Sequence, residues 1–234
     1  AVALGRPWAY AAPLLTGLGG VGLIVVSPLI AAQWLMLAGS LGLVAIFAAI
    51  IRRHPALYTF TMGGGSLVWA LGNLLWCLGW PVFLVAFWWA AFLVVTIAGE
   101  RLELARLQQV TGAAQATFLL LLGILLTGLL LLGWSYDGGV RLFGLGLAGL
   151  ALWLGRHDIA RRTVKQAGLT RFIAICLLTG YVWLGISGLS ALWFGGVPVG
   201  PQYDATLHAF FLGFVFAMIF AHAPIIFPAV LGAR

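Results

Sequence analysis

Apolar runs of about twenty residues, broken by short clusters of glycine, proline and charged side chains, recur along the whole chain. They predict helices at about 10–30, 33–51, 57–79, 82–99, 112–133, 140–155, 171–194 and 205–227. A helix rises 1.5 Å per residue, so about twenty apolar residues cross a hydrocarbon core roughly 30 Å thick. Eight such runs leave little of a 234-residue chain for anything but loops. The pattern therefore predicts an all-α, polytopic integral membrane protein of about eight transmembrane helices in one bundle. It predicts a single helical domain over 1–234 and no soluble catalytic domain.

Composition agrees with that reading. The chain is 63% hydrophobic and only 7% charged, against about 25% charged residues in soluble domains, and its mean hydropathy is +1.12. The run from about 10 to 30 is too long for a signal-peptide core and reads as a first spanning helix. If the N-terminus is cytoplasmic, the inner side carries Arg6, Arg52, Arg53, Arg101, Arg106, Arg156, Arg161, Arg162, Lys165, Arg171 and Arg234, and the outer side only Arg141. This asymmetry predicts both termini on the cytoplasmic side of the membrane. It also accounts for the net charge of +7 by topology, without nucleic acid. Cys77 and Cys176 lie in separate spans with no ligand spacing and read as structural thiols.

Aromatic residues mark the borders: Trp34, Trp80, Trp134, Tyr136, Trp193 and Tyr203 at outer ends, and Trp8, Tyr10, Tyr58 and Trp153 near inner ends. Small residues within spans, among them Gly144, Gly146, Ala148, Gly180, Gly185 and Gly188, predict close approach of helices. The run Gly63-Gly64-Gly65-Ser66 leaves space that a neighbouring helix or a flat cofactor would fill. The basic segment from Arg156 to Arg171 predicts a short surface helix against anionic headgroups.

Ionisable groups within a membrane span are costly and by default functional. The last run holds two, His208 and His222, fourteen positions apart. At 100° per residue these stand within about 40° of one another on an ideal helix, roughly 21 Å apart along its axis. Neutral imidazole is the commonest protein ligand for metals and suits iron and copper alike. The pair is thus the candidate cofactor- and metal-binding set, with haem b or copper as the cofactor; a proton path and plain structural bonding are the alternatives.

The rest of the inventory is thin. Two bis-histidine haems need four buried histidines, and only His54 and His157 remain, each beside arginine at an inner end. Either would complete an inner centre with His222. At the outer depth Met36, a five-coordinate haem, copper or a ligand from another chain would complement His208. Glu100 and Glu103 share a helix face, and Glu103 and Arg106 stand three apart as an ion pair. Asn73 and Gln115 are polar residues suited to bridging helices. Pro224 and Pro228 predict a bend or an end in the last helix, aiming His222.

His208-Ala209, Leu212-Gly213-Phe214-Val215, Met218-Ile219-Phe220 and Phe227-Pro228-Ala229 resemble a helix of the NnrS family, bacterial polytopic membrane proteins associated with haem, copper and nitric oxide stress. Carried over by position, the resemblance implies His208 as a ligand and matches no family histidine to His222. The chain lacks the family's early His-Ala-His-Glu type segment and has fewer spans. The expectation is an inner-membrane haem- or copper-binding protein in electron transfer or redox chemistry, among lipids and other membrane subunits. A non-catalytic subunit or assembly factor and a small-molecule or ion transporter are the alternatives.

Overall fold

A computed structural model of the chain describes residues 6–25, 29–105 and 111–232. All regular structure among them is helical. A 3-10 turn at Pro7–Tyr10 leads into α1 (Ala11–Ile24), followed by α2 (Leu29–Arg53), α3 (Leu57–Cys77), α4 (Val82–Ala105), α5 (Gly112–Leu131), α6 (Tyr136–His157), α7 (Ala160–Thr163), α8 (Gly168–Phe194) and α9 (Pro201–His208). A π-helical segment, Ala209–Val215, joins α9 to α10 (Phe216–Leu231).

Among the described residues, seven helical segments are long and apolar enough to cross a membrane: those based on α1, α2, α4, α5, α6 and α8, and the continuous stretch Pro201–Leu231. The eighth long helix, α3, is diluted by Thr59, Thr61, Gly63, Gly65, Ser66, Gly72 and Asn73, all of them buried. The protein is a multi-pass membrane helical protein. The element order matches the hydrophobic pattern, with one adjustment at the first span: α1 stops at Ile24 and α2 begins at Leu29, inside the run assigned to the first helix.

The chain packs as two compact units, Ala1–Glu100 and Arg101–Arg234. In the first, the glycine run of α3 is regular helix with neighbours on two sides. A Cβ on Gly63 would lie 2.8 Å from Ile51 Cδ1, and one on Gly65 would lie 2.6 Å from Thr96 Oγ1, while Gly64 faces open space. Neighbouring helices thus fill the space beside the run. Asn73, fully buried, bridges as expected: its Nδ2 donates to the Met36 carbonyl at 3.2 Å, and its Oδ1 accepts from Trp89 Nε1 at 3.0 Å. Met36 itself packs against Gly19.

In the second unit α6 lies between α5 and α8, and α9, the π segment and α10 pack on α8. Glycines set these seams. A Cβ on Gly144 would meet the Gly188 carbonyl at 2.6 Å, and one on Gly146 would meet Leu125 Cβ at 2.6 Å. Phe118, Leu125, Phe143, Leu147, Leu150, Leu154, Leu184, Phe210 and Phe214 form the buried interior.

Several sequence expectations change. Trp153 is not a headgroup anchor: it is 4% exposed, donates from Nε1 to the Ala114 carbonyl at 2.9 Å and packs on Phe118. Gln115 is exposed and bridges to no helix among the described residues. Helix α10 continues through Pro224 and Pro228 to Leu231, since each proline removes only one donor from the ladder and the remaining bonds carry the helix on. The basic segment after α6 forms only the four-residue α7. The proposed partner of Glu103, Arg106, lies outside the described residues, as does Arg234; Glu103 is exposed.

Candidate functional site

The two histidines of the last span end in different surroundings, and the π segment is the reason. Its i to i+5 bonding accommodates about one residue more per turn than an α-helix, which retards the rotation by roughly 100° per extra residue. The ideal-helix stripe that joins His208 to His222 is therefore interrupted between them.

His208 closes α9 immediately before that segment. Its Nδ1 lies 2.8 Å from the Asp204 carbonyl. A carbonyl only accepts, so Nδ1 carries a proton and, in the neutral ring, Nε2 presents its lone pair. No partner meets Nε2 among the described residues. The exposed imidazole lines a groove of about 480 Å³ with Trp183, Ile186 and Ser190 of α8 and Ala209, Leu212 and Gly213 of the following turns. Gly213 is required here, because a Cβ would come within 2.5 Å of the Trp183 indole.

His222 belongs to a buried polar network. Its Nδ1 donates to the Met218 carbonyl at 2.6 Å, which leaves Nε2 to accept from Arg101 Nη2 at 3.0 Å. Arg101, 5% exposed, comes from the last part of α4. Its Nη1 stands 4.0 Å from Asp158 Oδ2, the outer limit of an ion pair. Asp158, 3% exposed, follows α6 in extended conformation. Its Oδ2 accepts from the Tyr181 hydroxyl at 2.6 Å and its Oδ1 from the Ala160 amide at 2.7 Å. The network thus ties the end of α4, the turn between α6 and α7, the middle of α8 and α10 together.

A metal fits these residues unequally. For His222 to ligate, Arg101 must leave Nε2. His208 already has the arrangement of a ligating imidazole, one nitrogen held by a carbonyl and the other open. No group of three or more His, Cys, Asp and Glu converges among the described residues, so a copper centre built from this chain alone lacks donors. Haem iron held through one axial histidine needs only His208. His157 donates from Nδ1 to the Trp153 carbonyl at 2.9 Å and stacks on that ring, and His54 is exposed after α2. Cys77 and Cys176 are free, half-buried thiols.

Sequence reading missed Arg101, Asp158 and Tyr181 as members of one site. Arg101 counts as a loop charge and Tyr181 as one ring in an apolar run. The only available signal was Asp158 itself, an acid in a basic segment.

Over residues 1–234 the chain matches the family described as a domain of unknown function, DUF8744. It belongs to that family. No curated protein and no solved structure matches it.

Proposed function

We propose that the protein is a redox protein of a bacterial inner membrane that binds haem b through His208 and works beside other membrane subunits. The observation that carries this reading is the open Nε2 of His208 on an apolar groove beside a π-helical segment, a feature frequent at functional sites. When bound, haem supplies one-electron chemistry. The chain's own contribution is to hold the imidazole through the Asp204 carbonyl, to offer the Trp183 ring as a groove wall and, at Gly213, to leave room for it. Copper in the same place requires donors from a second chain. His222 serves the Arg101 network in this reading and does not act as a second ligand.

The test is an oxidised and dithionite-reduced optical spectrum of the detergent-solubilised protein, made with haem supplied, together with iron and copper analysis. The expected result is one haem per chain, lost in His208→Ala and retained in His222→Ala. A colourless, metal-free protein would sink the proposal. Loss in His222→Ala alone would move the ligand to the inner position.

A second reading, proton or ion transport, is favoured by the network of Arg101, Asp158, Tyr181 and His222, because ionisable groups kept inside a span, here Arg101 and His222, often mark an ion path. Asp158→Asn is then expected to abolish an uptake that wild-type proteoliposomes show over empty vesicles. Wild-type uptake equal to that of empty vesicles dismisses this reading.

A further inference from the structure

A second groove, of about 790 Å³, runs along the seam of α6 and α8. Its floor is made by small residues: Ala148, Ala151 and Gly155 of α6 lie on one helix face, and Gly185 of α8 comes close enough for an added Cβ to meet Ala151 Cβ at 3.6 Å. Leu178, Val182 and Leu189 form the wall on α8. From Leu178 to Leu189 the wall is about 16 Å long at 1.5 Å per residue. That is about half of a hydrocarbon core of roughly 30 Å, or one leaflet.

One end of this groove is charged. Arg156, in the last turn of α6, and Arg161 of α7 both line it. Both are exposed, and Arg161 Nη1 donates to the Arg156 carbonyl at 3.2 Å, which anchors the Arg161 guanidinium at the end of α6. A guanidinium has five N–H donors, so that single bond leaves most of the Arg161 fork for a ligand. Two arginines matched to an apolar trough one leaflet long describe the complement of an amphiphile with an anionic head. Any lipid will cover an apolar membrane face; paired guanidinium groups at its end distinguish a phosphate that keeps its net charge from a zwitterionic headgroup.

We propose that this groove is a binding site for one anionic glycerophospholipid, its acyl chain along Ala151 and Gly185 and its phosphate on Arg156 and Arg161. The site adjoins the His208 groove at Ile186, which lines both, but its small-residue floor and its arginines belong to it alone, and the proposal does not rest on haem binding. Arg162 and Lys165 belong to the same basic segment but do not line the groove, so they separate a site from general surface attraction.

The experiment is native mass spectrometry of the full chain in detergent, titrated with phosphatidylglycerol or phosphatidylcholine. The expected result is one phosphatidylglycerol retained per chain, at least five-fold more occupied than phosphatidylcholine at equal concentration. Arg156→Gln with Arg161→Gln should remove that preference, and Arg162→Gln with Lys165→Gln should leave it in place. Gly185→Leu, which fills the trough but keeps the charges, should also reduce occupancy. If this last variant fails to fold, the two charge pairs still decide the matter. Equal occupancy by the two lipids, or equal loss in the two charge-pair variants, overturns the proposal.

Discussion

At the scale of single residues, the buried charges dominate. Removing one member of a buried ion pair leaves the other uncompensated, at a cost of about 3–5 kcal/mol. Asp158 also accepts from Tyr181 and from the Ala160 amide. Asp158→Asn is therefore expected to lower the thermal midpoint of the solubilised protein by far more than Asp137→Asn. The Asp137 partner, Arg141, is itself solvent-exposed, and exposed pairs contribute about 0–1 kcal/mol. Tyr181→Phe removes one donor and should cost about 1–3 kcal/mol. Thermal denaturation of the three variants in one detergent checks the ranking; equal midpoints for Asp158→Asn and Asp137→Asn would show that the network carries no stability. These residues were hardly legible in the sequence. Arg101, Asp158, Tyr181 and His222 are far apart in the chain, and hydrophobic patterning reports depth, not which polar residue meets which. Arg141 likewise read only as an outer charge. It in fact donates to the Leu192 and Trp193 carbonyls at the end of α8.

At the scale of elements, glycines divide by what faces them, and sequence alone does not show which is which. Gly64 and Gly65 are neighbours in one helix. A Cβ on Gly64 meets nothing, whereas one on Gly65 meets Thr96 Oγ1 at 2.6 Å and the Phe92 carbonyl at 3.3 Å. Alanine within a helix is favoured over glycine by up to about 1 kcal/mol, so Gly64→Ala should leave the thermal midpoint unchanged or raised and Gly65→Ala should lower it. Gly188→Leu belongs with the second class: its Cβ would lie 2.5 Å from the Ala148 amide nitrogen and 2.7 Å from the Gly144 carbonyl. Backbone atoms cannot step aside without separating α6 from α8. Loss of folded, monodisperse protein on size-exclusion chromatography is the expected result. The existence and order of the helices were legible because apolar length is a strong signal. The π segment was not, because a surplus residue leaves no mark in a continuously apolar run such as Phe210 to Phe216.

At the scale of the molecule, the distribution of arginine and lysine makes one further prediction: both termini face the cytoplasm. Cysteine-accessibility labelling in intact cells, on a variant without Cys77 and Cys176, should find position 134 open from outside and position 54 protected. The reverse pattern would invert the assignment. Arg101 weakens the charge argument by only one residue, since it is buried in the protein. The last span also behaves as a length standard. Pro201–Leu231 holds His208 to its groove at one depth and His222 to Arg101 at another, and the π segment takes up the residue that a uniform α-helix has no room for. Deleting one residue from 209–215 removes that surplus, and a uniform α-helix should then join the two halves in the register they already hold, keeping the Arg101–His222 bond. Inserting one residue there adds a second surplus, and one half must turn by about 100° against the other. The insertion should therefore cost either the His208 groove or the Arg101–His222 bond, although neither histidine is touched, and in a chain of this kind the direction of a length change at that point decides whether it is absorbed or re-faces every side chain beyond it.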